Sequence, residues 1–171
     1  MTLENLEQEI QALYPRLLAL AKQRLISQSD AEDAVQESII KAIKGIESFR
    51  AESQMYTWLV RILFNVCTDM QRKNKKIVDM PDDGKVFLDL EANKFDQPEE
   101  NYEQKWLFGR LNDAIAKLKE EHKEVIILKY FENFSYDQIA EALGISDSLV
   151  KSRLYMARQA LRKIVPLEIG K

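Results

Sequence analysis

Residues 135–163 read SYDQIAEALGISDSLVKSRLYMARQALRK, and the spacing within them decides how the chain folds. Two crossed helices joined by a tight turn need a small residue at the crossing, which Ala140 provides. They need a glycine where the backbone takes a positive φ, here Gly144, and a β-branched apolar residue under the second helix, here Val150. Ser135-Tyr136-Asp137-Gln138 has the form of a capping box, in which serine and glutamine each satisfy a free amide of the opening turn. Ser146 is placed to cap the following helix. With Ile139, Ala140, Leu143, Val150, Leu154 and Leu161 turned inward, Ser148, Lys151, Ser152 and Tyr155 project outward. That pattern is a helix-turn-helix whose outer face fits the DNA major groove, with Arg153, Arg158, Arg162 and Lys163 in reach of phosphates. Between Ser146 and Lys163 five basic residues oppose only Asp147. An αα-hairpin with a solvated basic face shares the same spacing.

Outward from this block the chain stays helical. Leu111, Ile115 and Leu118 mark one helical face, and Val125, Leu128 and Phe131 another. Towards the N-terminus, Leu3, Leu6, Ile10, Leu13, Leu17 and Leu20 recur at three and four residues, with Pro15 expected to kink that helix or start a new one. Ser29-Asp30-Ala31-Glu32 reads as a second capping box, and Val35, Ile39, Ala42, Ile43 and Ile46 as the apolar stripe after it. Leu59, Ile62, Leu63, Val66 and Met70 form a third stripe. With only five glycines and four prolines in 171 residues, and no segment alternating as a strand would, the fold class is all-α.

Charge divides the chain. Arg61, Arg72, Lys73, Lys75 and Lys76 oppose only Asp69 in residues 61–76, whereas residues 77–104 hold nine acids against Lys85 and Lys94, together with Pro81, Gly84 and Pro98. We read 1–76 and 105–171 as two small helical domains and 77–104 as an acidic linker; a solvated surface loop is the plainer alternative. The lone Cys67 forbids an internal disulfide, and His122, the single histidine, argues against histidine-rich metal centres and a Ser-His-Asp triad. Apolar runs too short for a membrane span and an acidic start unlike a signal peptide suggest a cytoplasmic protein. No cofactor, metal site or small-molecule substrate is expected.

A second constellation precedes the linker: Phe49, Arg50, Tyr56, Trp58, Arg61 and Asn65, followed by the basic run 72–76. Aromatics beside cations can stack on unpaired bases, and an asparagine can bond an extruded base edge. Phe49 and Trp58 serve equally as core residues.

DAEDAVQESIIKAIKGIESFRAES..YTWLVRILFN resembles region 2 of bacterial RNA polymerase sigma factors, and FSYDQIAEALGISDSLVKSRLYMARQALRKI resembles their region 4. Both blocks occur in the family's order over about four-fifths of the chain, and the small two-domain layout is similar to the extracytoplasmic-function (ECF) group. The resemblance implies a promoter-specificity subunit with no active site of its own. Asp30, Asp33, Gln36 and Glu37 would dock on the polymerase β′ clamp helices, with the β subunit also a partner; helix-dipole complementation would account for Asp30 and Asp33 as well. Phe49, Arg50, Ser53, Tyr56, Trp58, Arg61 and Asn65 would recognise and hold the melted minus-ten element. Ser146, Ser148, Lys151, Ser152, Arg153, Tyr155 and Arg158 would read the minus-thirty-five element. The resemblance also implies an anti-sigma factor, in this group often membrane-anchored. Ala51 stands where glycine is common, Met55 where an aromatic is common, Lys119 where proline is frequent, Ser148-Leu149 where Gly-Thr is usual and Met156 where arginine is usual.

Two readings from other classes compete. A stand-alone helix-turn-helix regulator would use only the second domain, leaving the DAEDAVQE helix without a role. A Mg²⁺-dependent nuclease or hydrolase would draw on Asp30, Glu32 and Asp33, which helix capping already explains.

Overall fold

The computed structural model describes residues 3–49, 54–75 and 102–164, and among these residues it contains only helices and their connecting turns. They are α1 (Leu3–Arg24), α2 (Gln28–Gly45), α3 (Met55–Lys75), α4 (Tyr102–Ala116), α5 (Glu120–Ile126), α6 (Tyr136–Leu143) and α7 (Asp147–Ile164). The all-α expectation holds. Two compact units emerge, one built on α1–α3 and the other on α4, α5, α7 and the first five residues of α6. The acidic stretch lies outside the described residues up to position 101, and α4 begins at Tyr102.

In the first unit α1, α2 and α3 pack against one another around Leu6, Leu17, Leu20, Val35, Leu59, Leu63 and Val66, each nearly or fully buried. Cys67 is buried here as a small packed side chain. Pro15 neither ends α1 nor starts a new helix, since α1 is assigned as one helix across it. Proline removes one amide donor, but Pro15 and Gln11, whose carbonyl loses its partner, are both exposed, so water can satisfy the freed oxygen.

The start of α2 also differs from expectation. The cap is Ser27, whose hydroxyl accepts the Asp30 amide at 3.3 Å, while Glu32 engages the Gln28 side chain at 2.9 Å rather than closing a box with Ser29. The buried face of α2 is Ala31, Ala34, Val35, Ser38 and Ala42. Small residues therefore let α1 and α3 approach closely, and Ile43, expected inside, is exposed.

The C-terminal end of α1 is tied to α3. The Arg24 guanidinium lies 4.4 Å from the centre of the Phe64 ring and donates to Thr68 Oγ1 at 3.1 Å; Gln71 Nε2 donates to the Arg24 carbonyl at 2.6 Å. A buried cation needs such partners, and these hold α3 in line with α1.

In the second unit α5 packs on α7, with Val125, Leu128, Val150, Leu154 and Ala157 buried. The end of α5 widens into a π-helical turn over Ile127–Phe131, closed when the Glu132 amide donates to the Ile127 carbonyl at 3.1 Å. Asn133 then takes φ 55°, a left-handed position asparagine tolerates better than most residues, and reverses the chain towards α6.

Candidate nucleic-acid interfaces

The turn between α6 and α7 has the predicted chemistry. Ser135 Oγ accepts the Gln138 amide at 3.2 Å and Gln138 Oε1 accepts the Ser135 amide at 2.8 Å, a reciprocal capping box. Gly144 has φ 65°, and the Ile145 amide donates to the Ala140 carbonyl at 3.0 Å across the turn. Ser146 Oγ accepts the Leu149 amide at 3.3 Å and caps α7. Val150 is fully buried, and Ala140 half-buried.

Those constraints aim α7. Ser148, Lys151, Ser152, Tyr155, Arg162 and Lys163 are all exposed along its outer side. Ser146 and Ser148 bring their hydroxyls within 3.1 Å of each other. Lys151 pairs with Asp147 at 2.6 Å, and that hydrogen bond, reinforced by the carboxylate charge, raises the lysine's pKa.

The two flanking arginines behave differently. Arg153 is half-buried, with its guanidinium 3.6 Å from Glu121 of α5, so it braces the two helices instead of joining the outer row. Arg158 remains exposed, and its Nε donates to the Tyr130 hydroxyl at 2.8 Å. That bond is the main cause of its raised pKa. Tyr136 sits beside Lys129 and Lys151, with ring-centre distances of 4.9 and 5.8 Å. Sequence reasoning passed over Tyr130; the available signal was an aromatic that falls outside the Val125, Leu128, Phe131 spacing. Leu149 and Met156, which stand out in the sequence only as departures from the family pattern, are exposed on α7.

In the first unit, Trp58, Arg61 and Asn65 share one side of α3 at three- and four-residue spacing; Arg61 and Asn65 are exposed and Trp58 is half-buried. Phe49 packs on Trp58, with ring centres 5.1 Å apart and planes at 48°, so these aromatics shore each other up while keeping part of their surface open. Tyr56 is placed otherwise. It is buried, and the Arg16 guanidinium lies 4.0 Å from its ring centre, so it supports the start of α3 from beneath. Arg50 and Ser53 lie outside the described residues.

On α2, Asp33, Gln36 and Glu37 are exposed and Asp30 is half-buried. Lys41 bonds Glu37 at 2.8 Å, which, with its charge, lowers the Glu37 pKa. Beyond the acids the same outer side carries Ile40 and Ile43, both exposed, a joined acidic and apolar surface that the sequence pattern hid. Among the described residues no helix is long and apolar enough to cross a membrane, and no cluster of His, Cys, Asp and Glu could hold a metal ion.

A capped helix-turn-helix with a basic, hydroxyl-bearing outer row is the hallmark of a DNA-binding transcription protein. Residues 10–77 match the family model "Sigma-70 region 2", and residues 108–161 match "Sigma-70, region 4". RNA polymerase sigma factor YlaC of Bacillus subtilis (strain 168) is 30% identical over 166 residues, covering 94% of this chain and 91% of that protein. The ECF RNA polymerase sigma-E factor of Haemophilus influenzae is 36% identical over 150 residues, covering 84% and 79%. In fold the chain resembles the sigma factor RpoE of Bartonella quintana, solved with the anti-sigma factor NepR, at TM-score 0.72 and 23% identity over 97% of this chain and 99% of that one. The chain belongs to the RNA polymerase sigma factors, within their ECF group. As such it binds core RNA polymerase and promoter DNA to start transcription and performs no catalysis of its own.

Proposed function

We propose a division of labour among the described faces. The outer side of α2 docks on the β′ clamp helices of core polymerase, with Asp33 and Glu37 supplying charge and Ile40 and Ile43 the apolar area. Phe49, Trp58, Arg61 and Asn65 hold the melted minus-ten strand, and Tyr56 acts from below by fixing the start of α3; Arg50 and Ser53, outside the described residues, are assigned to the same strand from the sequence alone. The α7 row from Ser148 to Lys163 enters the minus-thirty-five major groove, Ser146 fixes the helix start, and Arg158 reaches backbone phosphate. Residues 1–76 and 105–171 are the two working domains, and 77–104 joins them.

The observation that carries this reading is the contrast in exposed chemistry between α2 and α7: Asp33 and Glu37 beside Ile40 and Ile43 on one, a run of serines, lysines and arginines on the other. Bases held in protein pockets offset an unstacking cost of a few kcal/mol per base, which is how a protein without catalysis opens a promoter. Control by an anti-sigma factor fits the solved relative's recorded partner, and a cytoplasmic site of action follows from working with core polymerase.

Transcription with purified core polymerase on a promoter library tests the assignment. Asp33→Ala is expected to weaken core binding. Asn65→Ala is expected to leave core binding intact and cut open-complex formation about tenfold, the size of one lost hydrogen bond to a buried polar group. Tight operator binding without polymerase would instead identify a stand-alone regulator, and unchanged transcription by both variants would overturn the residue roles.

A further inference from the structure

We propose that Leu149 and Met156 read thymine methyl groups in the upstream promoter element, making them specificity-determining residues of α7. This rests on the reading that α7 lies in the major groove.

Leu149 is 39% and Met156 51% exposed, and both sit on the outer half of the helix beside Ser152. Seven residues separate them, two helical turns, so they fall on one line about 10 Å long. Single exposed apolar residues are ordinary on any surface. Two in line, beside the exposed Ser152 and Lys163, are suited to a polyanion that also presents apolar groups.

Duplex DNA is such a partner, because the thymine C5 methyl is the apolar group that base edges present in the major groove. The neighbouring hydroxyls discriminate less. Ser148 already engages Ser146, and a serine hydroxyl donates to or accepts from any base. Leucine has no hydrogen-bonding group and a thioether accepts only weakly, so neither pairs strongly with a base edge. Lys151 and Tyr155, on the opposite side of the row, keep the helix in register without contacting these methyls. The preferred element therefore carries thymines at the two positions that these side chains reach.

The test is selection of a randomised duplex library by holoenzyme assembled from this protein and core polymerase. Enriched duplexes are then remade with deoxyuridine in place of thymidine in the upstream block, which deletes only the methyl groups. Wild type is expected to lose about fourfold in affinity per methyl removed, the ratio for burying one such group. Leu149→Ala/Met156→Ala, altered only at exposed positions, is expected to bind thymine and uracil templates equally. Equal affinity of wild type for both templates, as when the strip is covered by a protein partner, overturns the inference and leaves the sigma function standing; so does an enriched block without thymine. Failure to enrich any sequence overturns both.

Discussion

Helices α2 and α7 are each 18 residues long and each buries a row that includes valine and alanine, yet their outer sides differ. On α2 the exposed residues include Asp33, Gln36, Glu37, Ile40, Lys41, Ile43 and Lys44; on α7 they include Ser148, Lys151, Ser152, Tyr155, Arg158, Arg162 and Lys163. Backbone geometry is the same in both, so it does not choose the partner. The exposed side chains do: carboxylates are present on α2 and nearly absent from α7, a difference that a net charge of −3 for the whole chain conceals.

The contrast is broken most severely from beneath. Leu154→Ala removes a side chain that is 1% exposed, and is expected to cost about 2–5 kcal/mol in denaturant unfolding of the full chain. Tyr155→Ala, one residue along and 60% exposed, is expected to change stability by less than about 0.5 kcal/mol while weakening promoter retention. Similar stability losses would show that Tyr155 is a packing residue. Helix starts give a smaller effect. Ser27→Ala is expected to cost about 1 kcal/mol, and Ser29→Ala a few tenths at most, since Ser27 is the residue that accepts the Asp30 amide.

The smallest effect concerns the ion pair on α2. Lys41 holds the Glu37 carboxyl below its ordinary pKa, so the pair's contribution is complete above that ordinary value and fades as pH falls through the lowered one. Glu37→Gln is expected to cost about 0.3–0.5 kcal/mol near pH 7, discounted for exposure, and nothing in strong acid. Denaturation midpoints measured across pH check this, and a loss that persisted at low pH would assign Glu37 another role. Lys151 shows the mirror sign: Asp147 raises its pKa, so that contribution is present below the ordinary lysine value and lost as pH rises through the raised one.

The α6–α7 block was legible residue by residue because each of its signals is local: a glycine at positive φ, a serine three residues before glutamine, a valine beneath. Two independent motif blocks in order likewise made the family legible. What the sequence hid depends on partners far along the chain. Ile43 matches a helical apolar stripe, yet α1 and α3 pack on the alanines of α2 and leave it outside. Tyr56 and Arg153 look like surface readers until Arg16 and Glu121 arrive from other helices. Pro15 carries a strong local stop signal, overridden because Leu6, Ile10, Leu17 and Leu20 flank it with buried area on both sides.

Cys67, the single thiol, is 0% exposed between α3 and its neighbours. Thiol-directed dyes should therefore leave the native molecule unmarked, so a cysteine placed at Ile40 or Tyr155 would accept one fluorophore cleanly. The two opposed surfaces could then be watched separately, in real time, as each meets its counterpart.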